Sequence, residues 1–203
     1  MIRPAVFREA ACRAQGISVA DLLDLHGRAS WPALLLVLAL LSALPIAGVG
    51  TVLSLPLFAV AARWPQGRSR AGPRGRAALP PQVTALRLGE TWSRRCLGLL
   101  AALYERARLT LRRRWAHWRH PSTHAGWRLW IAAMALLILL PLPLGNLLPG
   151  ISLVLLALGW IYKDGVALML STLAGAAAMA YGALSAHLLW AMVQAAGRWW
   201  AAA

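Results

Sequence analysis

Pro141-Leu142-Pro143-Leu144-Gly145-Asn146-Leu147-Leu148-Pro149-Gly150 interrupts an apolar run that extends from Trp127 to Tyr162. Leu44-Pro45-Ile46-Ala47-Gly48-Val49-Gly50 interrupts a second such run, from Trp31 to Ala62. Proline removes a backbone donor and clustered glycine weakens helix, so each run reads as two half-helices joined by irregular backbone. At membrane depth such backbone persists only where protein buries it or where it lines a cavity, which places the expected function at the two breaks.

The composition identifies the solvent as lipid. With 60% hydrophobic residues, 13% charged residues and mean hydropathy +0.60, the chain is more apolar than a soluble domain, whose apolar share is about half. A net charge of +15 would suggest nucleic acid in a soluble protein, but here topology accounts for it. Of the 21 Lys and Arg, 14 lie between Arg63 and Arg119, beside only Glu90 and Glu105. Short basic connections stay in the cytoplasm, so this linker is placed inside and no nucleic-acid partner is expected. Cys12 and Cys96 form no metal or CxxC pattern and read as free thiols. Acids and arginines interrupt Met1 to Arg28 before any apolar core, so a cleavable signal is not expected.

Length decides the shape of the runs. Trp31 to Leu44 offers 14 residues and Thr51 to Ala62 offers 12, whereas a full crossing needs about 20. One kinked span or a re-entrant hairpin fits; two full spans do not. Arg28 and Arg63 bracket the first run, and Arg128 and Lys163 the second, which favours hairpins with both ends on one side. From Val166 to about Gln194 the chain is apolar without proline and long enough to cross. Ala174, Ala178, Gly182 and Ala186 form a small-residue stripe on it, with Ser171 and Gly175 beside, suited to packing on a hairpin or a second subunit.

The remaining segments read as interfacial. Ser18-Val19-Ala20-Asp21 opens a short helix that Gly27 ends. Residues 66–81 form a flexible connection rich in Gly, Arg and Pro. Trp92, Cys96, Leu99, Leu100, Leu103, Ala107 and Leu111 recur at helical spacing against arginines, predicting a basic amphipathic helix on the anionic inner leaflet. The expected fold is therefore an all-α integral membrane protein, one membrane domain over 1–203. It divides into a first repeat at 18–66, a basic cytoplasmic linker at 67–126, and a second repeat at 127–203 that includes the long transmembrane helix. So little spanning mass per chain predicts a homodimer.

An offset of 98 residues pairs Pro45 with Pro143, Ser54 with Ser152 and Gly67 with Gly165, which predicts an internal duplication. Leu140-Pro141-Leu142-Pro143-Leu144-Gly145-Asn146-Leu147-Leu148-Pro149, followed by Leu158-Gly159 and Lys163-Asp164-Gly165, resembles the ExoD family of bacterial exopolysaccharide-synthesis membrane proteins. The resemblance runs from about Ser18 to Tyr181. Its first half is looser, with Ala47-Gly48-Val49-Gly50 where the family has a proline-rich turn. It implies a multi-pass protein of the bacterial inner membrane with a role in exopolysaccharide production, and it supplies no reaction.

Thr51 and Ser152 begin the second half-helix of each run, where an N-terminus presents N–H groups and partial positive charge to an anion. The alternative is that water and facing carbonyls satisfy those groups. Thr51, Ser54, Asn146 and Ser152 are the candidate substrate-binding residues. Asn146 has two readings, a bond to a solute or a cap on carbonyls freed by Pro143 and Pro149. Lys163 and Asp164 form either a surface turn with an ion pair or a gate. His187 is either functional or a neutral imidazole near an interface. His117, His120 and His124 have helical spacing, but Pro121 stands between them and argues against a metal site. Without a nucleophile motif, phosphate loop or paired carboxylates, the sequence leans away from an enzyme and predicts no cofactor or metal. Two functions remain: a transporter or channel-like protein for a small anionic solute at the breaks, or a scaffold that docks exopolysaccharide-synthesis machinery through its basic linker.

Overall fold

The structure, a computed structural model, describes residues 30–43, 49–64, 90–112, 123–140 and 145–202. Within them the chain is helical and contains no strand. The order is α1 (Ser30–Ser42), α2 (Val49–Arg63), α3 (Glu90–Thr110), α4 (His124–Leu139), α5 (Leu147–Tyr162) and α6 (Gly165–Ala202). The interfacial helix expected after Ser18, the centres of both breaks, the connection at 66–81, His117 and His120 lie outside the described residues.

The breaks are narrower than the sequence predicts, because helix resumes at Val49 and Leu147. Pro149 falls in the first turn of α5, where a backbone N–H has no intrahelical partner to lose. Pro56 sits deeper, inside α2, where it removes one internal bond.

α1 is the central element. Every residue from Ala33 to Ala39 is fully buried, as expected for a helix that is apolar all round. α1 packs on α5 and on its own neighbour α2, α2 packs on α4, and α5 packs on α6. α1 and α4 run toward the break end, and α2 and α5 run away from it. The helices α1, α2, α4 and α5 have 13 to 16 residues, about 20–24 Å, whereas α6 has 38, about 57 Å. α6 therefore returns to the break end and continues beyond it, and Leu184, Leu188, Trp190 and Trp200 on the extension are exposed. By length and composition, Gly165–Arg198 can cross a membrane.

The contact face of α6 carries Ser171, Gly175, Ala178 and Gly182, all buried, alternating four- and three-residue steps. Of the expected stripe, Ala178 and Gly182 lie in this seam and Ala186 is exposed. A side chain at Gly175 would run into the Trp130 ring, and one at Gly182 would meet Leu137 Cδ2 at 2.7 Å. Small residues here let α6 approach α4 and α5 closely.

α3 is the amphipathic helix that the spacing predicts, with a shifted seam. Leu97, Leu100, Ala101, Tyr104 and Ala107 are buried while Leu99 is exposed. Arg94, Arg95, Arg106 and Arg108 face outward. Tyr162 Oη donates to the Tyr104 carbonyl at 3.2 Å, tying the end of α5 to the middle of α3.

Candidate functional site at the paired breaks

The two breaks meet. Asn146, the residue before α5, lays its side chain directly against Gly50 in the first turn of α2. A Cβ at Gly50 would collide with the Asn146 amide nitrogen and stand 2.9 Å from its Cγ. On the other side of the crossing, a Cβ at Gly150 would stand 2.8 Å from Ala43 Cβ at the end of α1. Gly50 and Gly150 are what allow the start of α2 to meet the residue before α5, and the start of α5 to meet the end of α1. The crossing brings the N-termini of α2 and α5 side by side, and neither has an acid in its first turn. First-turn N–H groups have no partner within their own helix, so each of these two helix starts carries partial positive charge, beside the carbonyl-bearing ends of α1 and α4 at the same end of the bundle.

The residues singled out from sequence fall at different places along the bundle. Thr51 is exposed in the first turn of α2, and Asn146 is partly buried. The Asn146 side chain makes no cap bond, although its carbonyl accepts from Gly150 N at 3.0 Å. Ser54 is buried one turn further on, and its hydroxyl donates back to the Thr51 carbonyl at 2.6 Å.

Ser152 is not at a helix start; it lies six positions into α5 and is fully buried. Its Oγ donates to the Ser171 carbonyl at 2.8 Å and accepts from Trp130 Nε1 at 3.2 Å. Ser171 Oγ returns a bond to the Ser152 carbonyl at 2.7 Å. The reciprocal serine pair is a polar rivet between α5 and α6, closed by a tryptophan from α4. In an apolar surrounding such bonds satisfy groups that would otherwise be costly to bury.

Lys163 and Asp164 lie at the far end of α5, about 24 Å from Asn146 along 16 helical residues. Lys163 adopts a left-handed conformation with φ 60°, and both its N–H and that of Asp164 donate to the Gly159 carbonyl. This is a Schellman-type helix end built on a lysine where glycine is usual. Asp164 is buried, with Oδ1 accepting from Val166 N and Oδ2 from Arg112 N, each at 2.9 Å. It caps α6 and holds Arg112, two residues beyond α3. His187 is exposed on the extension of α6. His124 stacks edge-on against Trp160, and no set of three or more His, Cys, Asp or Glu converges on a metal-sized site among the described residues.

Several contributors to this geometry carry no motif. Gly50, Gly150, Trp130 and Ser171 matter because of what lies opposite them; the sequence signals that pointed toward any of them are glycine within an apolar run and the place of Ser171 beside the small-residue stripe. Arg128, read from sequence as a flanking charge, donates from Nε to the Ala61 carbonyl at 3.2 Å and from Nη2 to the Ala62 carbonyl at 3.1 Å. It caps the C-terminus of α2 from α4.

Comparison with curated proteins and with solved structures finds no match. Residues 5–184 match the family model described as exopolysaccharide synthesis, ExoD. The match covers most of the chain and includes both broken runs, so the protein belongs to the ExoD family and is thereby implicated in exopolysaccharide synthesis.

Proposed function

We propose that the chain is a multi-pass protein of the bacterial inner membrane in which the paired N-termini of α2 and α5 hold a small anionic solute, as part of a transporter or channel-like unit serving exopolysaccharide production. The observation that carries this reading is the seating of Asn146 over Gly50, which brings two electropositive helix ends and one amide to a single point. Thr51 and Asn146 supply the accessible polar groups there. Ser54 and Ser152 support them from within α2 and α5 and do not touch the solute.

The membrane arrangement follows from helix lengths and charge. Both hairpins enter from the cytoplasmic side, which the basic linker and Arg63, Arg128 and Lys163 mark, and α6 crosses. Duplication is supported by the offset of 98 residues, since moving the bounds of α1 and α2 by it gives 128–140 and 147–161, close to those of α4 and α5. The pairs α1 with α5 and α4 with α2 are then equivalent contacts, so the two repeats, 18–66 and 127–203, clasp each other. The linker, 67–126, lies between them and carries α3 onto the anionic inner leaflet. Two chains form the unit in the membrane.

Gly50→Ala pushes Asn146 off its seat, and Asn146→Ala removes the amide while leaving the crossing intact. Anion flux into liposomes containing the purified chain should fall with both. Equal flux in the two variants and the parent, or none in the parent for any anion, would remove the transport reading. A scaffold is the second reading, favoured by the exposed arginines Arg94, Arg95, Arg106 and Arg108 of α3. Reversing those charges should then abolish exopolysaccharide production while Gly50→Ala leaves it intact.

A further inference from the structure

α2 and α4 leave an open groove of about 340 Å³ between them. Phe58, Ala62, Ala125, Leu129 and Ala132 line it together with Arg128. The apolar surface does not stop at the groove. Val52 and Leu55 precede Phe58 and Ala62 at helical spacing on α2, and Leu136 follows Leu129 and Ala132 on α4. Val52 is 60% exposed, Leu55 68%, Leu129 73% and Leu136 52%. The two helices run antiparallel, so these side chains form one strip from Arg128 to Leu136 toward the break end, about 12 Å along α4.

We propose that this groove is a binding site for an anionic lipid, with the phosphate at Arg128 and a hydrocarbon chain along Phe58, Ala132 and Leu136. The occupant must match both parts of the surface. A purely apolar partner leaves the guanidinium without a counter-ion, and a free anion leaves the strip uncovered. Arg128 uses two of its five N–H groups on the Ala61 and Ala62 carbonyls, so three point elsewhere. Those carbonyls form the negative end of α2, which by itself repels a phosphate. Selectivity for an anionic headgroup therefore depends on Arg128. The inference rests on the membrane placement given above and is independent of a solute at the breaks.

The test is native mass spectrometry of the full-length purified chain titrated with phosphatidylglycerol and with phosphatidylcholine of the same acyl chains. The parent should retain phosphatidylglycerol about fivefold more strongly, the effect of one basic residue at a membrane surface. Arg128→Gln should bring the ratio to parity. Because Arg128 also caps α2, Ala132→Phe provides a second arm: it fills the groove without touching the charge and should lower retention of both lipids. A parent that holds both lipids equally, or a preference that survives both substitutions, overturns the proposal. So does inorganic phosphate competing as well as the lipid, or a dimer that Ala132→Phe dissociates, which would make the strip an interface between copies. Retention of the parent in carbonate-washed membranes separates these outcomes from failure of the membrane placement itself.

Discussion

α2 and α5 occupy corresponding places 98 residues apart, yet they live in different surroundings. Each begins at a break, carries a buried serine on its second turn, and packs on the first helix of the other hairpin. α5 is then covered by α6, and α2 is covered by nothing comparable among the described residues. The consequence shows in the serines. Ser54 bonds back to its own helix, while Ser152 has become the centre of a bonded cluster with Ser171 and Trp130. It shows again at the C-termini. α5 ends in a backbone turn capped by Asp164 for α6, whereas α2 ends on the side chain of Arg128. Among the described residues, α6 closes the face beside α5 and leaves the face beside α2 open and apolar.

The packing of α6 on α5 is most vulnerable at Gly175. Leucine there meets the Trp130 ring and the Ser152 hydroxyl, and overpacking of this kind costs about 3 kcal/mol. Thermal unfolding in detergent should show α6 detached while residues of α1 and α2 stay protected from exchange. If α1 and α2 lose protection equally, α6 is part of one cooperative unit and the asymmetry is only structural. Asp164→Ala should cost about 2 kcal/mol, through loss of a helix cap and of the bond from Arg112. Asp164→Asn keeps a good capping residue and should recover most of it in the same assay.

The serines give the sharpest contrast. Ser152→Ala leaves Trp130 Nε1 and Ser171 Oγ with fewer partners and should destabilise by about 1–2 kcal/mol, whereas Ser54→Ala removes only a back-bond within a turn and should cost about 0.5 kcal/mol or less. A double-mutant cycle of Ser152→Ala with Ser171→Ala should show coupling, and additivity would mean that the bonds are not energetically joined. The smallest effect concerns Tyr104, whose phenol is pushed well above its usual range, first by burial and then by the neighbouring Tyr162. Both folded and unfolded forms are neutral below the ordinary value of 10.0, so stability is flat there. Above it the unfolded chain loses the proton that the folded chain keeps, and stability should fall as pH rises. Tyr104→Phe should flatten that slope in a pH series of unfolding midpoints.

Much of the architecture was legible from composition and breakers. Prolines and glycines at 44–50 and 141–150 separate the helices of each run, because a missing donor or a missing side chain acts locally. The long uninterrupted stretch after Gly165 reads as one helix for the same reason. The candidate site was legible only in part. Thr51 and Asn146 stand where the breaks suggest, but Ser152 was expected at a helix start and lies a turn inside, because Pro149 and Gly150 are tolerated in a first turn. The shift of the α3 seam from Leu99 to Leu97 and Tyr104 had no sequence signal, since both faces of that stretch carry leucine.

The amino-acid sequence alone settles where helix can form and which stretch of the chain is basic, since these depend on neighbours a few residues apart. What only the tertiary structure decided is which apolar helix is central, which serine is bonded across to another helix, and which face stays open. α1 and α2 are both apolar, yet α1 is enclosed and α2 presents Val52 and Leu55 outward. The physical reason is that burial is a property of what packs alongside, and the crossing at Gly50 and Gly150 joins residues about a hundred positions apart.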